Sequence, residues 1–361
     1  MQLKRSPFIA IIITIIIVLS VGTLYLYMVN HTNLLKSSNK TFYLFRPKIT
    51  ATPTPVPLTA SKLDGTMVTQ ELSDRHPLGV MIENHTEARP QFGLSTASFV
   101  YEAIAEGGIT RYLAIYGPND APKVGPIRSA RTYYVDWCNE YDCYYAHVGG
   151  NYDALKEKIP ADKVKDLDQF ANSGSYYRAR RGSEATEHTM YSSTDKLYKL
   201  ASLKTWFTPL RETYDIYSFF SAAPSPPVTA TTFIKINFSF PQYDVRWDYN
   251  KTDNTYLRNL AAAPDVDANN NRQISAKNVI IQNISRSSVA TAINENGWSM
   301  PTVGSGSATI YQGGVKIDGT WSKSSKYDRT QFFGADGKLI TLYAGETWIE
   351  VVNPGSTVTS G

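Results

Sequence analysis

Short apolar runs alternate with polar, turn-rich segments between residues 76 and 150, and the rest of the chain is organised around this stretch. Residues 78–82 have the length of a buried strand, and residues 109–116 predict a second strand. Residues 98–106 alternate in a pattern that fits either a strand or a helix. This order predicts a mixed α/β layer. The remaining predicted elements of this half are a helix over 129–141, a strand over 144–148, a helix over 151–168 interrupted at Pro160, and a helix over 195–205.

Beyond residue 232 the pattern changes to short strands punctuated by turn signals. A Pro/Thr-rich stretch over 222–232 marks the boundary, and residues 353–361 form a tail too small and polar to pack. The predicted fold class is therefore α+β, with a mixed α/β domain over 76–221 and a β-rich domain over 222–352. The predicted strands of the second half lie at 233–240, 245–249, 279–284, 308–311, 340–343 and 347–352.

The N-terminal region predicts a membrane anchor over residues 1–30. Residues 8–28 are free of charge, and as a helix they span about 31 Å, the thickness of a bilayer core. Lys4 and Arg5 precede this run, which places the N-terminus in the cytoplasm and the following domains outside the cell membrane. The alternative is a cleaved signal peptide, but the run ends without a small-x-small cleavage site. No Cys follows it closely, so lipid attachment there is excluded.

Residues 31–75 predict a stalk, because alternating prolines over 51–60 favour an extended chain without a core.

The distribution of charge along the chain excludes nucleic acid as a class of partner. The first 75 residues carry a net charge of +5, whereas residues 76–200 carry −2, so the overall +4 belongs to the anchor and stalk. A nucleic-acid binder concentrates positive charge on its folded domain, so we expect no nucleic-acid partner.

Polar side chains that a core does not need collect beside the Gly and Pro turns of the first half. We hypothesise that they line one ligand pocket, whose candidate residues are His85, Arg89, Gln91, Glu102, Thr110, Arg111, Arg128, Ser129, Arg131, Asp136, His147 and His188.

The chain resembles the YerB-type lipoproteins, a bacterial family of unknown function. The resemblance covers most of residues 76–352, and it implies an extracytoplasmic location without implying an activity. Two departures are that Glu187-His188-Thr189 stands where the family often has Pro-His-Asn, and that the predicted anchor replaces the usual lipobox. The matching motifs are Glu83-Asn84-His85, residues 88–93, Tyr101-Glu102, residues 106–111, residues 125–131, residues 147–150, residues 277–280, Gly313-Gly314, residues 318–321 and residues 345–349.

The arginines admit two interpretations. Ser129 lies at the predicted start of a helix between Arg128 and Arg131, and helix N-termini and guanidinium groups both attract anions. The alternative is that these arginines and Arg111 form internal ion pairs with Glu102, Glu106 or Asp136.

Metal binding and catalysis have weaker signals. His85, His147 and His188 can together hold zinc, but their spacing matches no local metal motif. We therefore assign no metal and no cofactor. Carboxylates among Glu83, Glu102, Glu106 and Asp136 can supply an acid/base pair for glycoside cleavage, but a sequence does not give their separation. Nucleophile-elbow, P-loop and dinucleotide motifs are absent from the sequence.

Cys138 and Cys143 are the only cysteines of the chain. Outside a membrane such a pair invites a disulfide, provided that the predicted helix ends between them. In an unbroken helix the two side chains point apart and cannot bond.

The leading functional hypothesis is recognition of an anionic or hydroxyl-rich cell-envelope ligand, such as a cell-wall glycan or peptide, by a membrane-anchored extracytoplasmic protein. The alternatives are a hydrolase of envelope polymers and an assembly scaffold without a small ligand.

The predicted anchor over residues 1–30 should be retained in the mature protein. Because the apolar run lacks a cleavage site, mass spectrometry of the membrane-extracted protein should detect peptides from residues 1–30. Protease added to intact cells should release the domains beyond Pro53. A mature soluble chain that begins near residue 30 would contradict the prediction.

Overall fold

The computed structural model describes residues 7–37, 56–206, 217–221, 224 and 230–361. The chain divides into two compact units, Met1–Pro55 and Val56–Gly361. In the first unit, helix α1 spans Pro7–Ser37, and the side chains of residues 14–31 are exposed. Among the described helices, α1 alone is long and apolar enough to cross a membrane. A signal sequence has the same properties, so the single-pass topology stays a prediction.

The second unit contains few helices, all of them short. The helix predicted over 195–205 is present as α5, whereas the one predicted over 151–168 is replaced by a π-helical turn, a short helix and a strand. The α-helices are α2 Gln70–Ser73, α3 Thr132–Asn139, α4 Ile159–Ala161 and α5 Thr194–Ser202. The π-helical turn is Asp153–Lys158, and the 3₁₀ turns are Thr86–Ala88, Leu94–Thr96, Glu106–Gly108, Ser173–Ser175, Thr186–His188 and Pro241–Tyr243.

Strands account for most of the regular structure. Those of the first half are β1 Leu58–Ala60, β2 Met67–Thr69, β3 Leu78–Glu83, β4 Phe99–Ile104, β5 Thr110–Tyr116, β6 Tyr144–Ala146, β7 Lys165–Asp166, β8 Tyr177–Arg178 and β9 Met190–Tyr191. Those of the second half are β10 Phe233–Asn237, β11 Asp244–Asn250, β12 Thr255–Leu260, β13 Ala263–Pro264, β14 Val266–Asp267, β15 Arg272–Gln273, β16 Ser275–Ala276, β17 Asn278–Asn283, β18 Ser287–Ala290, β19 Asn296–Ser299, β20 Gly304–Gln312, β21 Val315–Lys323, β22 Gln331–Gly334, β23 Thr347–Val352 and β24 Val358–Ser360.

One sheet runs through both halves of the second unit. Within the described residues its strand order is β22-β21-β20-β17-β23-β4-β5-β3-β6-β7. The halves join where β23 pairs in parallel with β4, with Glu350 opposite Glu102. A second sheet has the order β13-β12-β11-β10-β24. Mixed sheets with few helices agree with the predicted α+β class, but a continuous sheet crosses the predicted boundary between residues 221 and 222.

Both faces of the large sheet are covered, which explains why its central strands are apolar throughout. On β4, Phe99 and Tyr101 belong to one core with α3, whereas Val100 and Ile104 face the other core. Successive side chains of a strand point to opposite faces, so a strand covered on both sides buries every position. The alternation that fitted either a strand or a helix therefore belongs to a doubly covered strand.

Two sequence-based boundaries and one predicted strand need correction. The predicted stalk extends too far, because β1 and β2 pair within residues 58–69 and Ser73 is buried. The tail packs after all, since β24 adds to the edge of β10. The strand predicted over 340–343 is wrong, because within this segment Leu342 alone makes a β-bridge, and that bridge is isolated.

Cys138 and Cys143 form a disulfide with their Cα atoms 5.4 Å apart. The helix α3 ends at Asn139, so the backbone leaves the helical path between the two cysteines. Asp142 then turns the chain with φ 52, in the left-handed region. The bridge presses against Gly79 of β3, where an added Cβ would lie 2.5 Å from Sγ of Cys143. Glycine is therefore required at that position.

Changing both cysteines to Ala should lower the free energy of unfolding by about 2 kcal/mol, because the bridge closes only a short loop in the unfolded chain. Urea denaturation of the variant measures the loss. Reduced wild-type protein is the control and should match the variant. Identical curves for reduced and oxidised wild-type protein would show that the bridge does not form.

Candidate functional site

The candidate site lies at the carboxyl end of β3, where three backbone segments meet. Glu83 ends β3 and is paired in register with Arg111 near the start of β5. An isolated bridge between Ile82 and Ile127 brings Arg128 beside the same strand end. Strand register therefore gathers polar side chains that lie far apart in the sequence.

Asn84 is the first of two centres in this site. Its buried Oδ1 accepts hydrogen bonds from Nε of Arg89 at 3.0 Å and from Nε2 of Gln91 at 2.9 Å. Its Nδ2 donates to Oγ1 of Thr110 at 2.6 Å and lies 3.4 Å from Oε1 of Glu102. Four predicted site residues thus meet around one amide that satisfies both of its polar ends.

Glu83 is the second centre. Its carboxylate pairs with Nε of Arg128 and lies 3.5 Å from Nδ1 of His188, a long contact for a hydrogen bond. Burial raises the pKa of this nearly inaccessible group, but the contact with His188 and the charges of Arg111 and Arg128 outweigh burial and hold the pKa at about 2. Glu83 is therefore ionised at neutral pH, and its charge is compensated internally.

A second carboxylate neutralises Arg131. Nη2 of Arg131 donates to Glu106 at 2.7 Å, and Nη2 of Arg111 lies 3.6 Å from the same carboxylate. Burial raises the pKa of Glu106, but the hydrogen bond and charge of Arg131 outweigh it and leave this pKa below its ordinary value. Of the two interpretations of the arginines, the geometry matches internal pairing for Arg111, Arg128 and Arg131.

The predicted helix start at Ser129 is wrong. The helix α3 begins at Thr132, because Arg131 still has extended backbone with φ −138 and ψ 153. The carbonyl of Ser129 instead accepts a hydrogen bond from Nη1 of Arg111 at 3.0 Å. The anion site that depended on a helix N-terminus at Ser129 is therefore not formed.

Arg258 of β12 reaches the site from the second half of the chain. It is fully buried, and its Nη2 donates to Glu102 at 2.6 Å while its Nε donates to Asp265 at 2.9 Å. Glu350 contributes a third acidic group at 3.4 Å from Nη1. Burial, reinforced by the charge of Glu102, raises the pKa of Glu350 well above its ordinary value. Burial also raises the pKa of Asp265, so Arg258 lies among three buried acids with Glu102 the nearest.

Asp136 and His147 lie in other clusters. Asp136 accepts a hydrogen bond from Thr302 at 2.8 Å and pairs with Lys158 at 2.6 Å. His147 is buried, with its Nε2 at 2.9 Å from Asp166. Neither residue has a described contact with the two centres above. The three histidines that were considered as a zinc site therefore do not converge.

The outer rim of the site carries a histidine pair and an open pocket. The rings of His85 and His188 stack in parallel, with centroids 4.5 Å apart and planes 2° apart. His85 is half-buried and caps the 3₁₀ turn Thr86–Ala88, accepting the N–H of Glu87 at 3.3 Å. The pocket has a volume of about 440 Å³ and is lined by Thr86, Glu87, Arg89, Pro90, Arg181, Gly182, Ser183 and Glu184.

Arg89 and Arg181 differ from the other arginines of the site. Arg89 donates to the side chain and carbonyl of Asn84, at 3.0 and 3.1 Å. Arg181 donates to the carbonyls of Pro90 and Ala88, at 2.7 and 2.9 Å. Among the described ion pairs neither guanidinium has a carboxylate partner. These two guanidinium groups are held in place by neutral acceptors and border the pocket.

Two family models match the chain, described as protein of unknown function (DUF3048) N-terminal domain over residues 63–206 and DUF3048 C-terminal domain over residues 234–349. The chain belongs to the DUF3048 family. It is 29% identical over 307 residues to the putative lipoprotein YerB of Bacillus subtilis (strain 168), which covers 82% of this chain and 88% of YerB. The crystal structure of YerB from B. subtilis superposes with a TM-score of 0.72 at 26% identity, over 83% of this chain and 99% of that one. The resemblance inferred from the sequence is confirmed.

Both DUF3048 domains contribute to the site, and the second contribution was missed. The centres at Glu83 and Asn84 lie in the first domain, whereas Arg258 lies in the second. One signal was available for Arg258, since it alternates with Tyr256 and Leu260 on the inward face of β12. Arg181 and the pocket residues beside it were also missed, because an irregular polar segment does not reveal which strand end it covers.

Glu83→Gln should destabilise this DUF3048 protein by about 3 kcal/mol at pH 7, which corresponds to lowering a pKa from 4.5 to about 2. The stabilisation is present above pH 4.5 and is lost as the pH falls toward 2. The difference between wild type and variant should therefore shrink over that window in denaturation curves. Glu71→Gln, an exposed change in α2, is the control. A difference that does not vary with pH would contradict the ion-pair account.

Proposed function

We propose that this DUF3048 protein is a membrane-anchored, extracytoplasmic binding protein that recognises a cell-wall glycan or peptide in the pocket between Arg89 and Arg181. One observation carries the proposal. Within the described residues, these two guanidinium groups border an open pocket and have no ion-pair partner. Arg111, Arg128 and Arg131 of the sequence hypothesis are paired internally. Arg89 is the arginine of that hypothesis that borders the pocket, and Arg181 is added to it.

The size and shape of the pocket suit a small polar ligand. Its volume of about 440 Å³ falls within the range of about 300–1,000 Å³ that is typical of small-molecule sites. The walls are polar loop segments held by hydrogen bonds from Arg89 to Asn84 and from Arg181 to the carbonyls of Pro90 and Ala88. A polar pocket on a rigid support favours ligands that present several hydroxyl, amide or carboxylate groups.

The charge balance narrows the ligand class. Arg89 and Arg181 are offset by the carboxylates of Glu87 and Glu184 in the same lining. A pocket with both signs of charge offers donors and acceptors together. It suits a hydroxyl-rich glycan or a peptide with one carboxylate better than a dense polyanion.

The four carboxylates that the sequence offered for acid/base chemistry do not support hydrolysis in this pocket. An acid/base pair needs two carboxyl groups that face a substrate and differ in protonation. Glu83 and Glu106 are held in ion pairs with arginines, Glu102 is buried against Arg258, and Asp136 lies in another cluster with Lys158. None of the four candidates from the sequence is placed for acid/base chemistry in the pocket.

The anchoring part of the proposal depends on α1. The relative YerB is named a putative lipoprotein, and lipoproteins are attached through a cysteine near the start of the mature chain. Here the cysteines are Cys138 and Cys143, which are bonded to each other. An apolar helix that remains attached supplies the membrane affinity that a lipid would otherwise supply.

Arg89→Ala and Arg181→Ala should each weaken binding of a disaccharide-peptide fragment of the cell wall at least about 10-fold, since a charge-assisted hydrogen bond contributes about 1.5–3 kcal/mol. Calorimetric titration of the full-length protein in detergent micelles measures the affinity. The matched control is Arg272→Ala, an exposed arginine that does not line the pocket.

Chromatography of the fragment after incubation separates binding from hydrolysis. An intact fragment is expected. Cleavage would support the hydrolase instead. Absence of binding to the wild-type protein would leave the scaffold as the remaining function.

A further inference from the structure

We propose that His85, Glu87 and His188 form a binding site for one divalent transition-metal ion, with zinc the best match to its ligands. The proposal goes beyond ligand recognition and does not require the pocket to bind a glycan or peptide. It rests on the positions of these three side chains and of the carboxylate behind His188.

The three side chains already lie close enough to share an ion. One potential ligand atom from each of them lies within 4.8 Å of the other two. Three atoms at that limit would each lie about 2.8 Å from the point equidistant from them, whereas zinc binds His nitrogen and carboxylate oxygen at about 2.0–2.2 Å. At that limit each ligand atom has to move about 0.6–0.8 Å toward the ion, and the His85 ring has to turn.

The surroundings of His188 resemble those of a ligand histidine. Metal-bound histidines commonly direct their second ring nitrogen at a carboxylate, which fixes the tautomer and turns the free nitrogen toward the ion. Nδ1 of His188 faces Oε2 of Glu83 at 3.5 Å, and Arg128 holds Glu83 from the other side. With its proton on Nδ1, the buried His188 keeps the lone pair of Nε2 for a metal.

His85 supplies the adjustable ligand. Its ring is parallel to that of His188, so the in-plane lone pairs of the two rings do not point at a common position. His85 is only half-buried, and the one described hydrogen bond of its ring is accepted from the N–H of Glu87 at 3.3 Å. Turning this ring breaks one long hydrogen bond, and a metal–nitrogen bond replaces it.

The ligand set selects the class of ion and leaves one position open. Two imidazoles and one carboxylate suit zinc and its neighbours in the first transition series, whereas magnesium and calcium prefer oxygen ligands. Three protein ligands leave the fourth position of a tetrahedron for water or another group. Glu87 is exposed and lines the pocket, so the metal site lies beside the pocket.

The test uses full-length protein in detergent micelles, stripped with a chelator and then dialysed. Titration with Co²⁺ alone should produce visible absorption bands typical of tetrahedral coordination, saturating at one ion per chain, and Zn²⁺ should abolish them. His85→Ala and His188→Ala should each weaken Co²⁺ binding about 100-fold. Loss of a residue that only supports a metal ligand already weakens binding by up to about that factor. Glu87→Gln should weaken it at least about 10-fold.

The matched control is Glu187→Gln, an exposed carboxylate next to His188 in the chain that lies outside the three-residue group. It should bind Co²⁺ as the wild type does. If His188→Ala lowers the melting temperature, the half-exposed His85→Ala decides the result alone. Unchanged Co²⁺ affinity in His85→Ala would place the ion elsewhere and overturn the proposal, as would absence of saturable binding to the wild type.

Discussion

The buried guanidinium of Arg258 is the interaction on which the rest of the folded unit depends. It is fully buried between the two sheets, where an unpaired cation is very costly. Glu102 comes from the first half of the chain and Glu350 from the second, and the parallel pairing of β4 with β23 sets them side by side. Two charged acids at these positions would repel each other, and the Arg258 guanidinium, which contacts both Glu102 and Glu350, offsets that repulsion. The cation and the shared sheet therefore require each other.

The contact between Arg258 and Glu102 also fixes the buried end of the candidate site. Glu102 binds Arg258 on one side and lies within 3.4 Å of the amide of Asn84 on the other. Asn84 in turn fixes Arg89 at the rim. A continuous path of polar contacts thus leads from the core to the pocket. Rigidity at the bottom and exposure at the rim are what a binding site requires.

Much of the local structure could be predicted, because a strand that is buried on both faces is apolar over most of its length. The strands at residues 78–82 and 347–352 are apolar over a strand length and occur where expected. Pairing across the chain leaves no such trace. Nothing in the pattern of β4 identifies a partner nearly 250 residues away, so the continuous sheet was not predicted. Arg258 escaped notice for a related reason, since a basic residue in a strand ordinarily faces solvent.

The partners of the candidate site residues depend on three-dimensional position, which the sequence does not give. A list of arginines does not say which of them meet a carboxylate. Arg111 is paired across strands with Glu83, and Arg128 reaches the same carboxylate through a bridge one residue away. Arg89 follows a 3₁₀ turn, and its described hydrogen bonds go to the neutral side chain and carbonyl of Asn84. Strand pairing therefore places Arg111 and Arg128 beside the carboxylate of Glu83, whereas Arg89 borders the pocket.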